Sequence, residues 1–232
     1  MEPILMDFHS HILPGVDHGA KDFKESLSFL TAAKQAGIET VVATSHFYPH
    51  EHAVKHFLAC RNSVYRKLTD ACRDQEFPQI LVGAEVLLCA GLENMEDVEQ
   101  LCIEGTNTIL LELPFTMTED HQNLYDSIEA LLREKNLTVV LAHPNRYETK
   151  VIERALALGC FLQLNAEDIL RLRERARIKK WLREEIVVAV GSDIHHERQV
   201  YRKFKKCATI LGDAVSSVNQ SASMLTNPIY NK

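Results

Sequence analysis

Short apolar runs, several of them rich in β-branched residues, alternate along this chain with longer segments whose apolar residues recur every three or four positions. The runs predict seven strands: Ile4 to Phe8, Thr40 to Thr44, Gln79 to Ala84, Thr108 to Leu111, Thr138 to Ala142, Cys160 to Asn165 and Ile186 to Val190. Between them the helical period returns. Asp22 caps a helix carrying Phe23, Leu27, Leu30 and Ala33 that stops at Gly37, and others are expected over 53–75, 120–134, 149–158, 167–184, 197–211 and 213–224. Residues 86 to 107 are the least periodic stretch, with a short helix expected near 94–102. Strands alternating with helices, and strands apolar on both faces, predict an α/β fold in which a parallel barrel-like sheet is covered by helices.

With 232 residues and 46% hydrophobic content, the chain is long enough to bury one such core, and residues 1–232 are read as a single domain. Composition narrows the function by exclusion. A net charge of −6 with no basic tail disfavours a duplex nucleic-acid binder. No apolar run approaches the roughly twenty residues that cross a bilayer, so membrane insertion is not expected. The six cysteines show no CxxC spacing and no signal peptide precedes the first strand, which together predict a cytoplasmic protein with reduced thiols.

The candidate chemistry sits where the strands stop. His9 and His11 follow the first strand two residues apart, a spacing that puts both imidazoles on one face. His46 follows the second, Glu85 the third, Glu112 the fourth, His143 the fifth, and Asp193 with His195 the seventh. The C-terminal rim of a barrel brings such positions into one pocket. Singly, each is more often a loop hydrogen-bonding residue than a ligand; jointly, they would make a repulsive, desolvated cluster unless cations neutralised it. Mixed imidazole and carboxylate donors suit manganese, iron or zinc better than calcium or magnesium.

In order along the chain, the run Met6 to Gly19, Ala-Thr-Ser-His at 43–46, Glu-Leu-Pro-Phe at 112–115, Ala-His-Pro-Asn-Arg-Tyr at 142–147 and Gly-Ser-Asp-Ile-His at 191–195 resemble one family across nearly the whole length. It is that of the bacterial PHP-superfamily protein-tyrosine phosphatases of capsule and exopolysaccharide operons. The resemblance implies a distorted (β/α)7 barrel of the PHP type, two to three metal ions with manganese favoured over iron or zinc, and hydrolysis of phosphotyrosine by a metal-bound hydroxide. By matching motif, His9, His11, Glu85 and Asp193 resemble ligands of one ion, with Glu85 bridging to a second held by Glu112 and His143. A third ion would fall to His46, His195 and position 18. There the family carries an acid and this chain carries His18, with Asp17 adjacent as the alternative.

Arg146 is the expected phosphate clamp, because its planar fork matches two phosphoryl oxygens. The family's second arginine has no clean match, and Arg198 is preferred to Arg202. His46 and His195 are placed among the catalytic groups as well as the ligands. Phe47, Tyr48, Phe115 and Tyr147 are candidates to frame an aryl group. The resemblance also implies a partner, the tyrosine-rich tail of a membrane-associated polysaccharide-synthesis kinase, and leaves homo-oligomerisation open. The rival readings are a histidinol-phosphate phosphatase and a metal-binding regulatory module without turnover.

Overall fold

The structure is a computed structural model that describes residues 2–73, 75–196 and 200–227. Among the described residues nine strand segments, all paired in parallel, form two sheets. One holds β1 (Met6–Ser10), β2 (Thr40–Ala43) and β4 (Gln79–Val82) in the order β1-β2-β4. The other holds β3 (His46–Phe47), β5 (Glu85–Leu87), β6 (Thr108–Glu112), β7 (Thr138–Leu141), β8 (Phe161–Asn165) and β9 (Val187–Gly191) in that order. The nine segments make seven rows, because β2 with β3 and β4 with β5 are each one strand broken in the middle.

Both breaks fall in small residues. The first lies at Thr44 and Ser45 and the second at Gly83 and Ala84, where a Cβ on Gly83 would come within 3.2 Å of Ile103. The carbonyl of Gly83 accepts a hydrogen bond from the buried guanidinium of Arg61 at 2.9 Å, so the break leaves no orphaned acceptor. The row expected over 79–84 therefore stops at Val82, and Glu85 opens a new segment instead of ending an old one. The ring closes where β9 meets β1. His9 O accepts from Asp193 N at 2.8 Å, and Ile194 O accepts from His11 N at 3.2 Å.

Helices α1 (Phe23–Gln35), α2 (Val54–Cys72), α3 (Gln122–Arg133), α4 (Thr149–Leu158), α5 (Ala166–Leu170), α6 (Arg175–Arg183) and α7 (Val200–Leu211) follow the rows, and α8 (Ala214–Thr226) ends the described chain. Asp22 caps α1 as expected, its side chain accepting from Glu25 N at 2.8 Å. The single helix expected over 167–184 is two, because Arg171 is extended between them. The expected helix near 94–102 is a pair of short 3-10 turns, 92–94 and 98–101.

A small apolar cluster of Phe8, Val42, Leu110, Val140 and Val188, one from each of five strands, includes Ala222 of α8, with Leu225 packed against it. Helix α8 thus covers one end of the strand bundle, where Thr108, the first residue of β6, donates to Leu225 O at 2.9 Å. The chemistry lies at the opposite end. Among the described residues no helix is long and apolar enough to cross a membrane.

Candidate metal centre

Local backbone geometry aims the strand-end residues inward. The register between β1 and β2 shifts between Asp7 and Ser10, so β1 does not alternate strictly there. Phe8 joins the apolar cluster, while His9 and His11 bring their Nε2 atoms to 3.1 Å of each other. Asp7 takes another direction and accepts from Tyr201 Oη at 2.8 Å and Ser192 N at 2.7 Å. His143 and Asp193 both adopt left-handed backbone (φ 34° and 51°), an uncommon conformation for residues with a Cβ, immediately beyond their strands.

Eight of the nine expected ligands converge. Four overlapping triplets, His9/His11/Asp193, His9/Glu85/His143, His46/Glu85/Glu112 and His11/His46/His195, each hold their ligand atoms within 4.8 Å of one another. Glu85 is the hub. Its Oε1 lies 2.7 Å from His143 Nε2, and its Oε2 lies 3.0 to 3.3 Å from His46 Nδ1, His9 Nε2 and His11 Nε2. Glu112 lies 3.6 Å from His143 Nε2 and 3.9 Å from His46 Nδ1.

Whether these residues suit cations is decided by their partners. Glu85 Oε2, His46 Nδ1 and His195 Nε2 are buried and make no hydrogen bond, although the first two are only 3.0 Å apart. Buried polar atoms are rarely left so, and donors aimed at a common point without bonding each other are the arrangement a cation completes. Without cations, the groups share protons. Burial alone would raise Glu85, but His9 and its neighbouring imidazoles outweigh it and hold the carboxyl well below its usual range. Burial likewise opposes protonated His11, yet Asp17, Asp193 and Glu85 hold its pKa well above the ordinary value. Burial dominates at Glu112, which is raised with help from Glu85, and at His195, which is lowered to about 4.

His18, the ninth expected ligand, belongs to none of the triplets found among the described residues. Its exposed ring stacks on His46 at 4.7 Å and His195 at 4.5 Å, and burial with the nearby His46 lowers its pKa. Asp17 points elsewhere. Its carboxylate accepts from His11 Nδ1 at 2.8 Å, His46 N at 2.9 Å and Gly19 N at 2.9 Å, fixing both the turn and the ring of His11. A Cβ on Gly19 would meet His11 at 2.3 Å, so this turn closes only on glycine.

Arg146 sits across the mouth, bonded to Asp193 Oδ2 at 2.5 Å and 3.8 Å from Glu112 Oε1. Arg198 lies outside the described residues. A cavity of about 440 Å³ opens above the cluster, lined by His18, His46, Tyr48, Leu87, Phe115 and Arg146 among others. Of the four candidate aromatics, Tyr48 and the strongly exposed Phe115 line it. The other two do not. Phe47 is core, packed edge-on to Phe57, and Tyr147 is buried with its hydroxyl donating to Leu113 O at 2.7 Å. Gln163, which lies in none of the motifs, also reaches the site: its Oε1 lies 3.0 Å from His9 Nδ1. A buried glutamine inside an apolar strand was the one available signal.

Residues 5–230 match the family described as "Capsular polysaccharide synthesis, CpsB/CapC". The chain belongs to that family. It is 26% identical over 212 residues, 83% of each chain, to the tyrosine-protein phosphatase CpsB of Streptococcus agalactiae. The CpsB/CapC fold is equally plain in three dimensions. A structure from work on YwqE of Bacillus subtilis and CpsB of Streptococcus pneumoniae, described as unique metal-dependent tyrosine phosphatases, superposes with a TM-score of 0.82 at 22% identity over 96% of this chain and 94% of the other. The expected distorted PHP barrel is therefore the fold. A histidinol phosphate phosphatase from Lactococcus lactis, complexed with zinc, L-histidinol and phosphate, shares it more distantly, at a TM-score of 0.56 and 12% identity over 90% of this chain and 94% of that one.

Proposed function

We propose that this CpsB/CapC member is a metal-dependent phosphomonoesterase that hydrolyses protein phosphotyrosine. The observation that carries the reading is the convergence of eight imidazole and carboxylate side chains under a cavity with an arginine at its edge. We assign His9, His11, Glu85 and Asp193 to one ion, and Glu85, Glu112 and His143 to a second. Glu85 would be shared between them, since its two oxygens face different histidines. His46 and His195 hold a third position, with His18 as its outermost ligand. Manganese is the favoured ion, with iron and zinc the alternatives. A centre loaded in this way would supply Lewis acidity, lowering the pKa of water and polarising a phosphoryl oxygen.

The chain's own groups supply the rest. Arg146, anchored by Asp193, presents its fork to the phosphoryl oxygens and offsets charge that develops on them. Tyr48, Leu87 and Phe115 receive the phenyl ring. His195, which burial holds below its ordinary pKa, would serve as a ligand through its unpaired Nε2. No thiol takes part: none of the six cysteines lines the cavities at the mouth, and burial pushes Cys102, Cys160 and Cys207 up to about 12. The proposed physiological substrate is the tyrosine-rich tail of a membrane-associated polysaccharide-synthesis kinase, met in the cytoplasm.

Steady-state assays of one manganese-loaded preparation test this. Phosphotyrosine peptide should be turned over, chelator should abolish the activity, and a variant lacking all six cysteines should retain it if folded. Faster hydrolysis of histidinol phosphate than of the peptide would overturn the substrate assignment. Loss of turnover with the cysteines, in a folded and metal-loaded protein, would overturn the mechanism.

A further inference from the structure

Strand β8 contributes no histidine or carboxylate to the cluster, yet its buried side chains touch residues on both sides of it. Gln163 Oε1 accepts from His143 N at 3.3 Å and faces His9 Nδ1 at 3.0 Å. Gln163 Nε2 donates to Asn165 Oδ1 at 3.0 Å, and Asn165 Nδ2 donates to Asp193 Oδ2 at 2.9 Å. The direction of this chain follows from one atom. A backbone N–H can only donate, so the amide of Gln163 must turn its oxygen toward His143. His9 Nδ1 meets that same oxygen and must carry a proton there, which makes Nε2, directed at Glu85 and Asp193, the nitrogen available to a cation. The far end is set in the same way. Gln163 Nε2 requires Asn165 to offer Oδ1, so Nδ2 is what reaches Asp193, where with Arg146 it occupies Oδ2 and leaves Oδ1 to the imidazoles of His9 and His11.

We infer that Gln163 and Asn165 are positioning residues for the proposed metal centre, a two-amide relay that fixes the tautomer of His9 and the free oxygen of Asp193. Glycine in the next strand holds the relay in place. A Cβ on Gly191, the register partner of Asn165, would come within 2.5 Å of His9 Cβ and 2.7 Å of Gln163 Nε2. The choice of amides also has a reason. His11 takes a carboxylate, Asp17, on its Nδ1, whereas a carboxylate at position 163 would add charge to a buried centre already holding Glu85, Glu112 and Asp193 and would lose the donor that orients Asn165.

This inference rests on the cluster binding cations, and its test separates the two. Manganese dissociation constants and stoichiometry would be measured by chelator competition for wild type, Asn165→Asp, Gln163→Glu and Gln163→Met, together with the melting temperature of each metal-free protein. Asn165→Asp is isosteric but turns a donor into an acceptor facing Asp193, and should weaken one ion by about 10 to 100-fold. Gln163→Glu, which keeps the acceptor for His9, should retain tighter binding than Gln163→Met of similar volume. A role in packing alone predicts no loss in Asn165→Asp and no advantage of glutamate over methionine, and either result would overturn the relay. If Gln163→Met does not fold, Asn165→Asp decides. Wild-type protein that binds no manganese would instead defeat the metal-centre reading, and the relay with it.

Discussion

The deep and outer parts of the cluster are built from the same residue types but on different terms. His9, Glu85 and His143 are fully buried, and they share a carboxylate that faces a different histidine with each oxygen. The outer triplet of His11, His46 and His195 contains no carboxylate, and the residue beside it, His18, is exposed and uncharged where the resemblance leads one to expect an acid. Burial strengthens electrostatic interactions and also makes unpaired charge costly, so the deep region should bind cations in an all-or-none manner. The outer region lacks that compulsion, and its affinity should be adjustable.

Glu85→Gln breaks the comparison at its hub. It should remove more than one ion per chain by elemental analysis and lower phosphotyrosine turnover by about 10³-fold or more, whereas His195→Ala should cost a single ion. If both variants lose the same one ion, the deep and outer regions are not distinct. Arg146→Lys comes next: it keeps the charge but loses the planar fork, so kcat/KM should fall roughly 10²-fold with metal content unchanged. His18→Asp would supply the outer region with the charge it lacks. Its manganese affinity should rise by about tenfold at acidic pH, where protonation of His18, whose pKa burial lowers, competes with the metal; unchanged affinity would show that position 18 is not a ligand.

The smallest effect concerns metal-free stability. His195 is lowered to about 4 in the folded protein, below its value of ~6.5 in an unfolded chain, so between those values the unfolded state binds more protons. Its contribution is therefore fully present above about pH 6.5 and is lost as pH falls toward 4, by on the order of 1–2 kcal/mol after allowance for partial exposure. His11 runs the other way. Raised in the fold, it adds stability that is present below about 6.5 and disappears as pH climbs through its folded pKa. Urea unfolding of metal-free His195→Asn across pH 4 to 7 should show a flatter acid limb than wild type.

Much of this arrangement was legible in the chain because it depends on local order. Apolar runs located the seven rows, and the polar residues after six of them named the cluster before any contact was known. The breaks were not legible, since Gly83 packs against Ile103 and Arg61 and Thr44 bonds to Ser10, all residues distant in sequence. The same holds for the faces of the aromatics. Phe47 and Tyr147 carry the same composition signal as Tyr48 and Phe115, and only packing separates the buried pair from the pair at the mouth. His18 shows the remaining limit: position in a motif brought it beside His46 and His195, but which way its ring nitrogens face is a matter of side-chain stacking that spacing does not encode.

Helix α8 closes one end of the strand bundle, and this bears on the order in which products depart. With Ala222 and Leu225 packed at that end and Tyr48, Phe115 and Arg146 at the other, the proposed centre has its way out past the residues assigned to the phenyl ring. A phosphoryl group seated on the buried ligands lies beneath the ring it was attached to. The dephosphorylated tyrosine should then leave first and inorganic phosphate last, which makes phosphate a competitive inhibitor against phosphotyrosine peptide and the dephosphorylated peptide a noncompetitive one. Product-inhibition kinetics read this order directly, and the reverse pattern would mean that phosphate has a separate exit.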